Sequence, residues 1–201
     1  MCDTVLSDKQ IQKRAAIVNA AIEVFAQYGF HEAKIAQIAA QANVGDGTIY
    51  LYFKNKEDLL IKVFEEIITK RLDQLQSLLD NEQTAMDKLV SFFNHHVALF
   101  SDQPFVARLM AVELRQSPEF LERYPTYQPL RRYLGFLETL INDAIAEGSI
   151  RPIDTKSLSF LIFGTMNFVI TEWSLSHQTF SLNETKNTIA DIVLHGLLPR
   201  S

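Results

Sequence analysis

The chain has 201 residues, 47% of them hydrophobic, with 19 basic and 24 acidic side chains for a formal net charge of −5. That apolar content supports a packed core, and the acidic balance excludes binding to nucleic acid through a broad positive field. No run of eighteen apolar residues occurs, MCDTVLSDKQ lacks the basic-then-apolar order of a signal peptide, and the single cysteine, Cys2, cannot form an internal disulfide; a cytoplasmic protein with no membrane partner is expected.

Ser7 with Gln10 has the spacing of a capping box and opens a first helix. Ile17, Ala20, Ala21, Val24, Phe25 and Tyr28 recur with helical period, Gly29 stops the run, and Phe30 fills the corner before a second helix near Ala33. Ile35, Ile38, Ala39 and Ala42 make one stripe on that short helix, and Asn43 stands where the chain must turn, a residue tolerant of the left-handed region. In the next helix Val44 and Ile49 are expected to bury, leaving Asp46, Gly47, Thr48, Tyr50 and Tyr52 to face outward. This is the outline of a helix-turn-helix whose second helix reads DNA. Up to Lys56 there are six basic and five acidic residues, and thirteen against nineteen beyond it. A head so nearly neutral needs placed lysines, hydroxyls and helix N-termini, and two copies of itself.

Asn55 caps a long helix over about 56–79, apolar along Leu59, Leu60, Val63, Phe64, Ile67, Ile68, Leu72 and Leu75. Further helices are expected over about 84–100, 104–115 and 130–147, with Pro118 starting a short segment and Tyr124 to Pro129 breaking the pattern. Gly148 ends one helix, Asp154 caps the next to about Leu175, and Ser181 with Glu184 opens the last, ending near Leu198. The fold class is all-α with about nine helices: a helix-turn-helix domain over 1–55 and a ligand-binding and dimerisation domain over 56–201.

IAAQANV followed by GTIYLYFKNKEDLL resembles the DNA-binding head of the TetR family of bacterial repressors, over about residues 11 to 60. ELRQS at Glu113 to Ser117 and IFGTMNFVITEW at Ile162 to Trp173 are similar to its FadR-type members, repressors of fatty-acid degradation released by long-chain acyl-CoA. The resemblance implies a homodimer on palindromic operator DNA, with an acyl-CoA effector and no cofactor. By position, Thr48, Tyr50 and Tyr52 match the recognition-helix residues that touch bases and phosphates, and Lys56 matches a lysine that pins a phosphate. Gln37 and Gly47 are grouped with them. The family often has Thr-Thr where this chain has Ala33-Lys34, and a serine and a basic residue where it has Gly45-Asp46. Lys34 can replace the lost hydroxyls at the DNA backbone. Asp46 either accepts from cytosine N4 or stabilises its own helix N-terminus, the simpler role.

An acyl-CoA sensor needs a dry channel for the chain and cations for the phosphates. Between Val90 and Ile150 every cationic residue is an arginine, the side chain whose fork pairs with phosphate oxygens. Arg108 and Arg115, seven apart, share a helix face, and Arg131 and Arg132 join them as candidates. Surface pairing with nearby glutamates is the plain alternative. Phe92, Phe93, Phe100, Phe105, Phe136, Phe160, Phe163 and Phe168, with Leu109 and Met166, can line a cavity, though aromatics at helical spacing are mostly core. Gly164 and Asn167 are unfavourable inside a helix, and close approach of a ligand or a neighbouring helix would explain them.

Ile189, Ile192, Val193 and Gly196 on the last helix, with Leu158, Ile162 and Thr165 before it, make stripes for a four-helix dimer bundle or, alternatively, close the monomer's core. His95 and His96 point about 100° apart on a helix and cannot chelate one ion. No metal site, catalytic triad, carboxylate pair or phosphate loop is expected, and so no enzyme. The alternatives are a TetR-type multidrug sensor, with buried Glu113 or Glu172 for a lipophilic cation, and a helical lipid carrier without specific DNA binding.

Overall fold

The computed structural model describes residues 7–101, 106, 109, 118–125, 128–176 and 179–197. Among them there is no strand. The helices are α1 (Asp8–Glu32), α2 (Ile35–Gln41), α3 (Asp46–Tyr50), α4 (Lys56–Leu79), α5 (Ala85–Ser101), α6 (Pro118–Arg123), α7 (Pro129–Ala146), α8 (Thr155–Leu175) and α9 (Leu182–Leu197). The chain divides into two compact units, Met1–Ile67 and Ile68–Ser201, which meet inside α4. Of the helix expected over 104–115, Val106 and Leu109 are described, both helical and buried.

In the first unit local signals set every joint. The Ser7 N–H donates to Gln10 Oε1 at 2.8 Å. Gly29 breaks α1 with φ 76 and ψ 158, a combination only glycine adopts cheaply, so the helix continues to Glu32 in a new direction. Phe30 is buried in that corner, whereas Tyr28 faces solvent. Asn43 takes φ 53, and the Val44 N–H closes the end of α2 on the Ala39 carbonyl at 2.9 Å. Asn55 Oδ1 accepts from the Asp58 N–H at 2.7 Å while Asp58 Oδ2 accepts from the Lys54 N–H at 3.0 Å, which satisfies donors at the start of α4. Ile17, Phe25, Ile38, Ile49, Phe53, Leu59 and Leu60 form the core.

In the second unit, Glu147 at the end of α7 places both carboxylate oxygens on the Ala85 N–H, at 2.9 and 3.1 Å, and so caps α5 from a distant point in the chain. Gly148 turns with φ 74. Asp154 accepts from the Ser157 N–H at 2.7 Å to open α8, and Ser181 Oγ accepts from the Glu184 N–H at 3.2 Å to open α9. Arg151 closes α9, its N–H on the Leu197 carbonyl at 2.9 Å and its Nε on that of Gly196 at 3.3 Å. The core joins Phe92, Phe93 and Val97 of α5 to Leu137 and Ile141 of α7 and to Leu158, Ile162, Met166 and Trp173 of α8. Helix α8 is long and apolar enough by composition to cross a membrane. Its buried side belongs to this core, and its other side is open.

Candidate functional site

Helix α3 is held by one residue. Ile49 is buried in the first unit's core, whereas Val44 just before the helix, expected to bury, is half-buried. At 100° per residue, Tyr50 lies a quarter turn from Ile49 and Leu51 about 200° from it; they are 56% and 81% exposed. Asp46 and Gly47 are exposed, Thr48 and Tyr52 half-buried. Of the five residues expected outward, Asp46, Gly47 and Tyr50 are exposed, and Leu51 adds an exposed apolar side chain. Leu51 was missed because apolar residues were read as inward; its angle from Ile49 is the signal that finds it.

The polar residues beside α3 are partly committed within the protein. Gln37 Oε1 accepts from the Lys34 N–H at 2.8 Å, so its carbonyl is used to start α2 and its amide protons remain to donate outward. Lys34 is exposed. Lys56 Nζ donates to the carbonyls of Ala33 at 2.9 Å and His31 at 3.1 Å and stands 4.7 Å from the centre of the Phe30 ring. Two of its three N–H groups therefore hold the α1–α2 corner, leaving one for anything else.

In the second unit, Phe92, Phe93, Leu109 and Met166 are buried, and Phe136, Phe163 and Asn167 half-buried. Arg131 and Arg132 are exposed: Arg131 Nη1 donates to Gln128 Oε1 at 2.9 Å, and Arg132 Nη1 reaches across to Thr69 Oγ1 of α4 at 2.8 Å. Arg108, Arg115, Phe105, Glu113 and the side chain of Phe100 lie outside the described residues. Phe160 and Phe168 do not line the interior; they are 50% and 63% exposed. A Cβ on Gly164 would meet nothing within 4 Å, so no close approach among the described residues explains that glycine.

The stripe expected either for a dimer bundle or for the monomer's own core divides between buried and open positions. Leu158 and Ile162 are buried within their own unit, and Thr165 is half-buried. The open face of α8 carries Leu161, Gly164, Phe168 and Leu175, one helix face by spacing, and α9 opens at Ile192 and Gly196 with Ile189 and Val193 half-buried. Helix α8 is apolar nearly all round, so periodicity could not choose between its faces.

His95 Nδ1 lies 2.9 Å from the Ser91 carbonyl oxygen, and no cluster of metal-binding side chains occurs among the described residues. Elsewhere in the body core, Arg71, His96 and Tyr133 are buried together. His96 Nδ1 and the Tyr133 hydroxyl share a hydrogen bond. In the sequence His96 stands out only as a possible metal ligand, and Arg71 and Tyr133 carry no signal.

Residues 17–63 match the profile of bacterial regulatory proteins of the tetR family, and residues 64–196 that of the YsiA-like protein C-terminal region. The chain belongs to the TetR family. It is 34% identical over 186 residues to the fatty acid metabolism regulator protein of Bacillus subtilis, covering 92% of this chain and 95% of that one. The fatty acid degradation regulator FadR of Bacillus halodurans superposes with a TM-score of 0.83 at 32% identity, over 91% of this chain and 98% of that chain. FadR of Bacillus subtilis, solved in complex with stearoyl-CoA, gives 0.82 at 33% identity over the same shares. The TetR-family chain is thus a DNA-binding transcriptional regulator with FadR relatives.

Proposed function

We propose that this regulator is a homodimeric repressor of fatty-acid degradation genes, released from a palindromic operator by long-chain acyl-CoA. The observation that carries the ligand is the likeness, across both units, to a FadR solved with stearoyl-CoA. The body's own chemistry agrees in sign. Among the described residues the buried charged side chains are cations, Arg71 and Lys186, while Glu172 is exposed. Cations in the core oppose a lipophilic-cation ligand and favour one with oxygen acceptors. Arg131 and Arg132 suit the hydrated phosphates of a CoA head at the surface, and Phe92, Phe163 and Met166 suit an alkyl chain.

Thr48, Tyr50 and Tyr52 would contact bases and phosphates, and Lys34, Gln37 and the Gly47 backbone the phosphates alone. Asp46, in the first turn of α3, serves that helix's dipole. The open faces of α8 and α9 would pair with a second copy, which sets two heads on successive major grooves of one DNA face. Acyl-CoA releases DNA only to the extent that it binds the released arrangement better than the bound one. Such a protein works in the cytoplasm.

Titrating stearoyl-CoA against the protein on operator DNA, followed by fluorescence anisotropy, should release the DNA, with free CoA and free stearate far weaker. Equal potency of all three would refute the effector, and absence of a specific complex on palindromic DNA would refute the repressor.

A further inference from the structure

Helix α1 begins well before the core that holds it. Its first buried residue is Ile17, and from Asp8 to Ala16 every residue is exposed except Arg14, which is half-buried. At 1.5 Å per residue that is about 14 Å of helix with no packed face. A helical segment so short is marginal in water by itself; here it continues into a packed helix, and the Ser7–Gln10 capping box closes its free end. Its charged residues are Asp8, Lys9, Lys13 and Arg14, cations in excess. Lys9 and Lys13 stand four apart, on one side of the helix and about 6 Å from each other along its axis. Like charges at that spacing oppose helix formation. Among the described residues no ion pair relieves them, the pairs there being Lys62–Glu65 and His195–Asp191.

The base of this bare segment fixes where it leaves the unit. The guanidinium carbon of Arg14 stands 5.7 Å from the centre of the Phe53 ring, and that ring lies 6.4 Å from the ring of Tyr52. The Phe53 N–H donates to the Ile49 carbonyl of α3 at 3.0 Å. The bare turns of α1 therefore depart beside the end of α3 that carries Tyr50, Leu51 and Tyr52.

We propose that Lys9 and Lys13 are a DNA-backbone contact: the bare turns of α1 lie along phosphates next to the bases that α3 reads, and the two ammonium groups pair with them. This rests on the DNA-binding assignment of the family. Charge complementarity chooses the partner. Up to Lys56 the chain has six basic and five acidic residues, and Asp46 puts a negative charge in the first turn of α3 itself. Lys56 gives two of its three N–H groups to the carbonyls of Ala33 and His31. Anchoring then falls to the unit's other cations, of which Lys9 and Lys13 are a pair set side by side. Phosphate oxygens turn their mutual repulsion into a shared attraction, and the contact releases counterions from the duplex. An ammonium on a flexible stem acts as a point charge, so these lysines hold the DNA without choosing its sequence.

The test uses the full-length protein and a duplex that the unmodified protein selects from a randomised pool. Affinity is followed by fluorescence anisotropy between about 50 and 200 mM KCl. The variants are Lys9→Gln with Lys13→Gln on α1, and Lys62→Gln with Lys70→Gln, which removes the same charge from α4. Each lost phosphate contact lowers the magnitude of the salt slope by about 0.9, so the α1 variant should fall short by about 1.8 per bound chain. Over that salt range its affinity should therefore drop about twelvefold less than that of the unmodified protein. The α4 variant should stay within about 0.5 of the unmodified slope, and single base-pair changes should cost the α1 variant the same factors as the unmodified protein. Because both lysines are exposed and repel each other, the α1 variant should melt no lower than the unmodified protein. An unchanged slope would overturn the contact and leave the lysines a solvated face. So would an equal drop in the α4 variant, which reports net charge, or a loss confined to particular base pairs, which a backbone contact does not produce. If the unmodified protein selects no duplex, the DNA-binding assignment is overturned and the contact with it.

Discussion

His96 makes the stability of this protein depend on acid in a predictable way. Its imidazole titrates at 6.5 when exposed and at about 3 in the folded protein, because burial and then the Arg71 guanidinium disfavour the charged form. The unfolded chain therefore binds more protons than the folded one between those values, so stability rises with pH through that window and is lost as pH falls below 6.5. Relative to pH 7.5, this one group should cost about 2 kcal/mol at pH 5 and about 3 kcal/mol at pH 4. Among the described residues the facing groups do not compensate: Arg71 stays charged throughout, and Tyr133 stays neutral because burial raises its pKa. The perturbation is His96→Gln, which keeps an acceptor and a donor for Tyr133 without titrating. Urea unfolding at fixed protein concentration, from pH 7.5 to 4, should show the unmodified protein losing about 2 kcal/mol more than the variant by pH 5, with the same m-value. Parallel curves for the two proteins, or a His96 ring signal titrating near 6.5 in NMR, would refute the reasoning.

Leu51→Ala should change stability by less than about 0.5 kcal/mol, since the side chain is 81% exposed. If Leu51 packs on a thymine methyl, operator affinity should fall by about 1 kcal/mol, and replacing each thymine by uracil in turn should find one position where the variant loses nothing further. Lys56→Met should lower the unfolding midpoint through the lost bonds to Ala33 and His31 and leave the salt slope of operator binding within about 0.5, whereas removal of a phosphate contact lowers it by about 0.9. Phe168→Glu on the open face of α8 should yield a monomer in analytical ultracentrifugation, while Tyr50→Phe should remain dimeric; a dimeric Phe168→Glu would exclude this face as the pairing surface.

What could be read from the sequence was what is decided within a few residues. Gly29, Asn43, Asn55, Gly148, Asp154 and Ser181 each carry a backbone or capping signal that acts over one turn, and each lies at the joint it announced. The exposed side of α3 was also legible, because one buried isoleucine fixes the angle of all its neighbours. Long-range commitments were not. Lys56 finds its carbonyl partners 23 and 25 residues back in the chain, and nothing in the local sequence reserves an ammonium for a corner so far away. Arg71, His96 and Tyr133 come from three helices, and each alone resembles an ordinary surface arginine, a spare histidine and a core tyrosine.

The two faces of α8 decide how much of the body remains for a ligand. Phenylalanine is abundant here, and a sequence reading counts Phe160 and Phe168 toward a cavity; the structure turns both outward, to the face with Leu161 and Leu175. Among the described residues, the interior of this unit is lined by α4, α5, α7 and the inner side of α8, where fewer aromatics remain. Apolar packing alone discriminates weakly, since a methylene more or less changes affinity by only about 1–3 kcal/mol and an alkyl chain satisfies a phenylalanine wall as well as an acyl chain does. A site built to hydrogen-bond an oxygen rejects the analogue that lacks it more sharply, because its own buried donors are left unsatisfied. On the acyl-CoA proposal the phenylalanine walls of this unit would supply affinity, and choice between lipids would have to come from its polar side chains.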